Sequence, residues 1–176
     1  MSLYAALKKP GPNGFGYAST AEEVTAGIEL AGKTFLLTGC NSGIGLETLR
    51  VLGRRGAHVI AAARTEDKAR AALAEVGADG TPLSCELSEP AAVRDCVAAV
   101  AALDQPLSGI ICNAGIMALP KPVRKHGVEL QLLTNHVGHF LLVTGLLDAL
   151  AEDGRVVVVS SDAHRRAPAE GTVRST

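Results

Sequence analysis

Short apolar runs alternate along the chain with longer segments of helical period. The runs are Thr34 to Thr38, His58 to Ala63, Pro82 to Glu86, Gly109 to Cys112 and Arg155 to Ser160. Each has strand length, whereas the segments between them repeat apolar positions every three or four residues. Strands separated by helices predict parallel pairing, so the pattern predicts an α/β domain with a sheet covered on both faces. The expected helices are punctuated: Gly56 follows the first, Gly77 follows the second, and Ser88 is placed to cap the third, which carries Pro90 in its first turn. Thr20 with Glu23 spells a capping box and predicts a short helix to about Gly27. Residues 1–18, rich in Gly and Pro and without period, predict an extended arm, leaving 19–176 as one domain. The stretch from Leu130 to Leu150 predicts one long apolar helix, buried or facing a second subunit, but too interrupted by polar residues to cross a membrane.

The sharpest local signal is Thr38-Gly39-Cys40-Asn41-Ser42-Gly43-Ile44-Gly45, where the first strand should hand over to a helix. Glycines there permit a tight turn, let the backbone approach a pyrophosphate, and let helix and strand pack closely, while the helix N-terminus faces the anion. The spacing is G-x-x-x-G-x-G, not the general dinucleotide G-x-G-x-x-G. A Gly-rich turn that binds nothing is the competing reading, disfavoured by the flanking strand and helix.

These residues resemble the short-chain dehydrogenases/reductases, whose glycine motif is TGxxxGxG. Cys112-Asn113-Ala114-Gly115 is similar to that family's NNAG segment, with Cys in place of the first Asn. Asn135, in LLTNHVGHF, stands where the family's catalytic-helix asparagine stands, and Ser161, closing RVVVVSS, matches the catalytic serine. The lead-in STAEEVTAGIELAGKT resembles retinol-dehydrogenase-like members, and the match keeps order and spacing from about Ser19 to His164. The resemblance implies a doubly wound Rossmann sheet in strand order 3-2-1-4-5, hydride transfer between a nicotinamide cofactor and an alcohol or carbonyl, and a small-molecule substrate. It implies that Gly39, Asn41, Ser42, Gly43, Ile44 and Gly45 hold the pyrophosphate side, that Glu86 and Leu87 meet the adenine, and that Asn113, Ala114 and Gly115 line the cofactor cleft. Ser161 would polarise the carbonyl and Asn135 would hold a proton-relay water. Glu86 is longer than the Asp that relatives usually carry at its position.

NAD-specific folds place an acid at the end of the second strand to bond the ribose hydroxyls. Here that position is Ala63, followed directly by Arg64, whose guanidinium can pair with a 2′-phosphate, so NADP(H) is expected over NAD(H). The alternative is that Arg64 only solvates a strand end while Glu66 or Asp67 reaches the ribose.

Composition narrows the field. Lys plus Arg (17) nearly cancel Asp plus Glu (18), and aromatics are 3% with no Trp, which argues against nucleic acid as a partner. Cys40, Cys85, Cys96 and Cys112 lack close-paired metal spacing and read as buried thiols of a reducing compartment, so a cytoplasmic protein without a membrane span is expected. His136 and His139, three apart on a helix, have no partner placed to complete a metal site and read as packing residues; no metal is expected. His164, Arg165 and Arg166 read as loop residues.

The family moves its proton with a Tyr in a downstream Y-x-x-x-K motif. The tyrosines of this chain are Tyr4 and Tyr17, both ahead of the first strand, and Tyr4 to Lys8 matches the spacing only by chance. The expectation is a chain lacking the last family strands, with Val156 to Val159 on an open hydrophobic edge. Three functions remain: an NADP(H)-dependent oxidoreductase, a catalytically silent nucleotide-binding or interaction module, and a methyltransferase on a related sheet. The ordered set Asn113, Asn135 and Ser161 weakens the last. A homo-oligomer through the 130–150 segment is a further expectation.

Overall fold

The computed structural model describes residues 10–161. Five parallel strands form one sheet: β1 (Thr34–Thr38), β2 (His58–Ala63), β3 (Gly80–Ser84), β4 (Leu107–Cys112) and, after a two-stranded β5–β6 hairpin (Arg124–Lys125 and Val128–Glu129), β7 (Leu150–Val158). Their order across the sheet is β3-β2-β1-β4-β7, which is the expected 3-2-1-4-5 with β7 as the fifth strand of the main sheet. The fold is a Rossmann-like α/β sheet. Helices α1 (Ala21–Val24), α2 (Gly43–Arg54), α3 (Glu66–Val76), α4 (Pro90–Ala101), α5 (Leu130–Leu132) and α6 (Gly138–Gly145) make the crossovers and the N-terminal lead-in.

Alternation along the strands divides the core into two layers. Leu36 and Ile60 face one side with Val93, Ile110 and Leu142; Leu37, Val59 and Ala61 face the other with Leu49 and Leu73. Each fully buried leucine contributes about 1.5–3 kcal/mol of transfer free energy. The order reverses between β1 and β4, because the chain winds outward from β1 to β3 and then returns to lay β4 on the opposite side. This opens a crevice at the strands' carboxyl ends, the position where doubly wound sheets bind ligands.

Several expectations change. The 130–150 segment is not one helix: α5 opens into a π turn at Leu133–Val137, α6 follows, a 3-10 turn spans Leu147–Ala149, and Leu150 already starts β7. Its apolar residues divide between faces, with Leu133, Leu142 and Leu146 buried and Leu132, Phe140 and Leu147 exposed. Ser88 does not cap α4; Glu89 is the N-cap, without a side-chain capping bond, and the Ser88 hydroxyl donates to Glu86 Oε1 at 2.9 Å. Strand β3 lies two residues earlier than expected because its register on β2 pairs Val59 with Gly80.

Residues 10–18 do not run straight: Gly11 N–H bonds Phe15 O and Gly14 N–H bonds Gly11 O, closing a turn. The Thr20 capping box is formed in both directions, and α1 docks on α2 through Glu22, whose carboxylate meets Arg50 and Arg54. Val156 to Val159 are exposed at the β7 edge. Tyr4 to Lys8 and His164 to Arg166 lie outside the described residues.

Candidate functional site

The turn from β1 into α2 is held by close backbone contacts. Gly39 has φ +67°, and a Cβ on it would lie 2.8 Å from Ala114 Cα. A Cβ on Gly45 would lie 2.0 Å from the Gly39 carbonyl oxygen, so α2 rests directly on the loop that begins it. Gly43 has φ +53° with nothing within 4 Å of where its Cβ would be, leaving an open face at the helix start. Ser42 is the N-cap but its side chain makes no capping bond, and the first turn carries no acid. The leading N–H groups of an α-helix have no intrahelical partner, so these amides are available to an external acceptor. Asn41, Ser42 and Ile44 are exposed around them, Ile44 to 71%.

Asn113 and Thr38 join this loop to β4. Asn113 Nδ2 donates to the Thr38 and Gly39 carbonyls at 3.0 and 3.3 Å. Thr38 Oγ1 accepts the N–H groups of Asn113 and Ala114 at 3.0 and 3.1 Å. The next residues are gripped from the π turn: Asn135 Oδ1 accepts the Ile116 N–H and Asn135 Nδ2 donates to the Ile116 carbonyl, both at 2.8 Å. Gly115 lies against this amide, its Cβ position 3.5 Å from Asn135 Oδ1. Gly39, Asn113, Ala114, Gly115 and Asn135 therefore meet in one place.

At the carboxyl end of β2, Arg64 is exposed, with no side-chain partner among the described residues. Glu66 is ion-paired to Arg70 one helical turn on, which occupies one of the two acids offered as ribose ligands. Glu86 turns back on its own loop, its Oε1 accepting from Ser88 N and Oγ at 3.1 and 2.9 Å. Leu87 is buried against α6: a Cβ on Gly138 would meet the Leu87 carbonyl at 2.3 Å. Ser161 is exposed just beyond β7, at the carboxyl edge shared by β1 and β4 because all three strands are parallel.

Sequence reasoning passed over two residues. Thr38 stands in the glycine motif without a role of its own in the sequence, and His139 reads there as a packing residue. His139 is 5% exposed and hydrogen-bonded at both ring nitrogens, to Thr38 Oγ1 at 2.9 Å and to the Asn135 carbonyl at 3.0 Å. Burial holds its pKa below the usual histidine value, which favours the neutral ring. The signal for Thr38 was its place beside the glycines; for His139 there was none, since its partner lies 101 residues away. No cluster of three metal-ligating side chains occurs among the described residues, and no helix there is long and apolar enough to cross a membrane.

Residues 33–175 match the family model of the short chain dehydrogenases. The chain belongs to this family. Among curated relatives, it is 41% identical over 184 residues to a chloroplastic short-chain dehydrogenase of the TIC 32 type from Brassica napus, covering 97% of this chain and 58% of the relative. Among solved structures, it matches an uncharacterised protein from Mycobacterium paratuberculosis at 40% identity and TM-score 0.70, over 78% of this chain and 49% of the other. A metagenomic short-chain oxidoreductase solved in complex with NADP matches at 27% identity and TM-score 0.70, over 81% of this chain and 68% of that one. The chain thus spans little more than half the length of the Brassica dehydrogenase. This chain's glycine loop, Asn113 segment and Asn135 meet at one crevice at the carboxyl ends of β1 and β4.

Proposed function

We propose that this chain binds NADP(H) across the β1–β4 crevice, and that the fold serves hydride transfer between that cofactor and an alcohol or carbonyl compound. The observation that carries the reading is the start of α2: uncapped, free of acids, with an open Gly43 face and no room for a side chain at Gly45. An N-terminus left in this state suits a pyrophosphate, whose charge would take up the free amides. The NADP held by the metagenomic relative supports the same choice of nucleotide.

The chain's own residues divide the work. The backbone from Gly43 to Gly45 receives the phosphates, with Asn41 and Ser42 beside it. Arg64 would pair with a 2′-phosphate, and the loop of Glu86 and Leu87 would border the adenine, although Glu86 Oε1 is engaged by Ser88 and Leu87 is buried. Asn113, Ala114 and Gly115 line the nicotinamide half. Bound nicotinamide would supply or accept the hydride. Ser161 would donate a hydrogen bond to the reacting oxygen, and Asn135 would hold a relay water. The four buried thiols fit a reducing, cytosolic compartment; burial pushes those of Cys40 and Cys112 up to about 11. The exposed Phe140 and Leu147 give a homo-oligomer a surface to use.

The second reading is a catalytically silent nucleotide-binding or interaction module, which the same open glycine loop at the start of α2 would serve. Turnover separates the two: NADPH-dependent reduction of any ketone or aldehyde by homogeneous protein would reject the silent module.

The deciding binding experiment is a nicotinamide-fluorescence titration of the chain with NADPH and with NADH, run beside size-exclusion chromatography. The expected result is a soluble species binding NADPH at least about tenfold more tightly than NADH, the equivalent of one charge-assisted contact. Equal affinities would remove the Arg64 reading. Absence of binding by either nucleotide to soluble protein would remove the cofactor reading altogether.

A further inference from the structure

The segment Asn113 to Ile116 is held at both ends, and one buried imidazole touches both holders. At its start, Thr38 Oγ1 accepts the Asn113 and Ala114 N–H groups; at its end, the Asn135 side-chain amide grips Ile116 on N–H and carbonyl. His139 lies between the two, with Nε2 2.9 Å from Thr38 Oγ1 and Nδ1 3.0 Å from the Asn135 carbonyl oxygen.

With the ring neutral, the donor and acceptor roles follow from the partners. A carbonyl oxygen only accepts, so Nδ1 carries the proton and donates to Asn135 O. Nε2 is then a lone pair, and the Thr38 hydroxyl donates to it while its oxygen keeps the two backbone N–H groups. The other acceptor near that hydroxyl, the Ile111 carbonyl, is farther away at 3.4 Å. Each polar group in the bridge is used only in directions its chemistry allows, and burial at 5% exposure favours the neutral ring.

The backbone around Asn135 departs from a regular α-helix. Leu133–Val137 forms a π turn, with the Gly138 N–H bonded to the Leu133 carbonyl five residues back. The His139 ring meets the carbonyl of Asn135, a residue of this turn, at 3.0 Å. It thereby fixes the residue whose side chain clamps Ile116.

We infer that His139 is a positioning residue for the nicotinamide half of the crevice, setting the Asn113–Ile116 segment through Thr38 at one end and Asn135 at the other. This rests on the cofactor reading above. The adenine half, with Arg64 and Glu86, is outside the bridge, so the two halves of the ligand should respond differently.

The test uses the whole chain with two probes, NADPH and adenosine 2′,5′-bisphosphate, the second lacking the nicotinamide. His139→Leu removes both ring contacts and should weaken NADPH binding about tenfold while leaving the bisphosphate within about twofold of its original affinity. His139→Asn places an amide N–H where Nδ1 stands and should recover most of the NADPH affinity. Long-range proton–nitrogen NMR of the unaltered protein should show His139 as the neutral Nδ1–H tautomer. An Nε2–H tautomer would overturn the bridge outright. Equal weakening of both probes in the leucine variant, or none in either, would overturn the positioning role. If that variant does not fold, the tautomer and the asparagine variant decide, with NADPH affinity as low as the bisphosphate control predicts for a lost nicotinamide contact counting against it. Failure of the unaltered protein to bind either probe would instead strike the cofactor reading, and the tautomer measurement would still judge the bridge.

Discussion

Two helices start at the same edge of the sheet, one after β1 and one after β2, and they treat their N-termini in opposite ways. Helix α3 satisfies itself: Thr65 accepts from the Lys68 N–H, and Glu66 and Asp67 stand in the first turn against the positive end of the dipole. Helix α2 does neither, since Ser42 makes no side-chain cap, the first turn has no acid, and glycine occupies 43 and 45. Glycine inside a helix costs up to about 1 kcal/mol relative to alanine. The sequence therefore forgoes stabilisation at one helix start that it takes up at the next. Such a local deficit is expected where amides are kept for a ligand, and α3 is the internal control for what an ordinary crossover helix looks like.

The largest effect should come from closing the backbone approach at α2. Gly45→Val would drive Cβ into the Gly39 carbonyl, 2.0 Å from its ideal position, and displace either the helix or the loop. Overpacking of this kind costs about 1–3 kcal/mol, and NADPH binding should fall about 100-fold or more because the loop itself moves. The equivalent position in α3 is Lys68, exposed, where Lys68→Val should leave nucleotide affinity unchanged. Urea melts and NADPH titrations of the pair measure both arms. If Gly45→Val still binds like the parent, α2 is not a phosphate-binding start.

Next in size is Arg64, which stands between the end of β2 and the start of α3. Arg64→Ala removes an exposed guanidinium with no partner among the described residues, so folding stability should hold within about 0.5 kcal/mol. NADPH affinity should fall about 10- to 100-fold and NADH affinity should not change, as expected for loss of a charge-assisted pair. Parallel losses for both nucleotides would mean that Arg64 does not read the 2′-phosphate.

How far the sequence made this contrast legible depends on range. Thr34–Thr38 and His58–Ala63 were readable to the residue because they are central strands, apolar toward both layers. The glycine loop was readable because its requirement is local. Strand β7 was harder: its first half contains Glu152 and Asp153 at an exposed edge, which hid everything before Arg155. The π turn was invisible because Leu130 to Leu150 is apolar enough to look like one regular helix, while the close approach of Gly138 to the Leu87 carbonyl is a tertiary fact. The β5–β6 hairpin was passed over although His126 and Gly127, at φ +51° and +77°, supply the positive dihedrals a tight hairpin turn needs. His139 shows the limit most clearly: its function, as inferred here, depends on Thr38 and Asn135 arriving together, and no periodicity encodes that.

The cap itself offers a smaller and cleaner comparison. Thr65→Ala deletes a side-chain cap and should cost α3 about 1 kcal/mol by chemical denaturation, with no change in nucleotide affinity. Ser42→Ala deletes nothing of the kind and should leave the stability of the apo protein unchanged. Equal destabilisation by the two would show that Ser42 caps α2 after all and that the contrast between the helices is false.

The smallest effect separates Arg64 from its rival. Glu66 begins α3 and pairs with Arg70, an exposed i,i+4 contact of the sort that contributes about 0.3–0.5 kcal/mol. If that pair is its whole role, Glu66→Gln should lower stability by no more than this and leave NADH affinity where it was. If Glu66 instead leaves Arg70 to hold the ribose hydroxyls, NADH affinity should drop with the substitution while NADPH affinity holds or rises, because an acid beside a 2′-phosphate is repulsive. The first outcome leaves the ratio of NADPH to NADH affinity unchanged and the second raises it, so paired nucleotide titrations decide whether Glu66 or Arg64 faces the ligand.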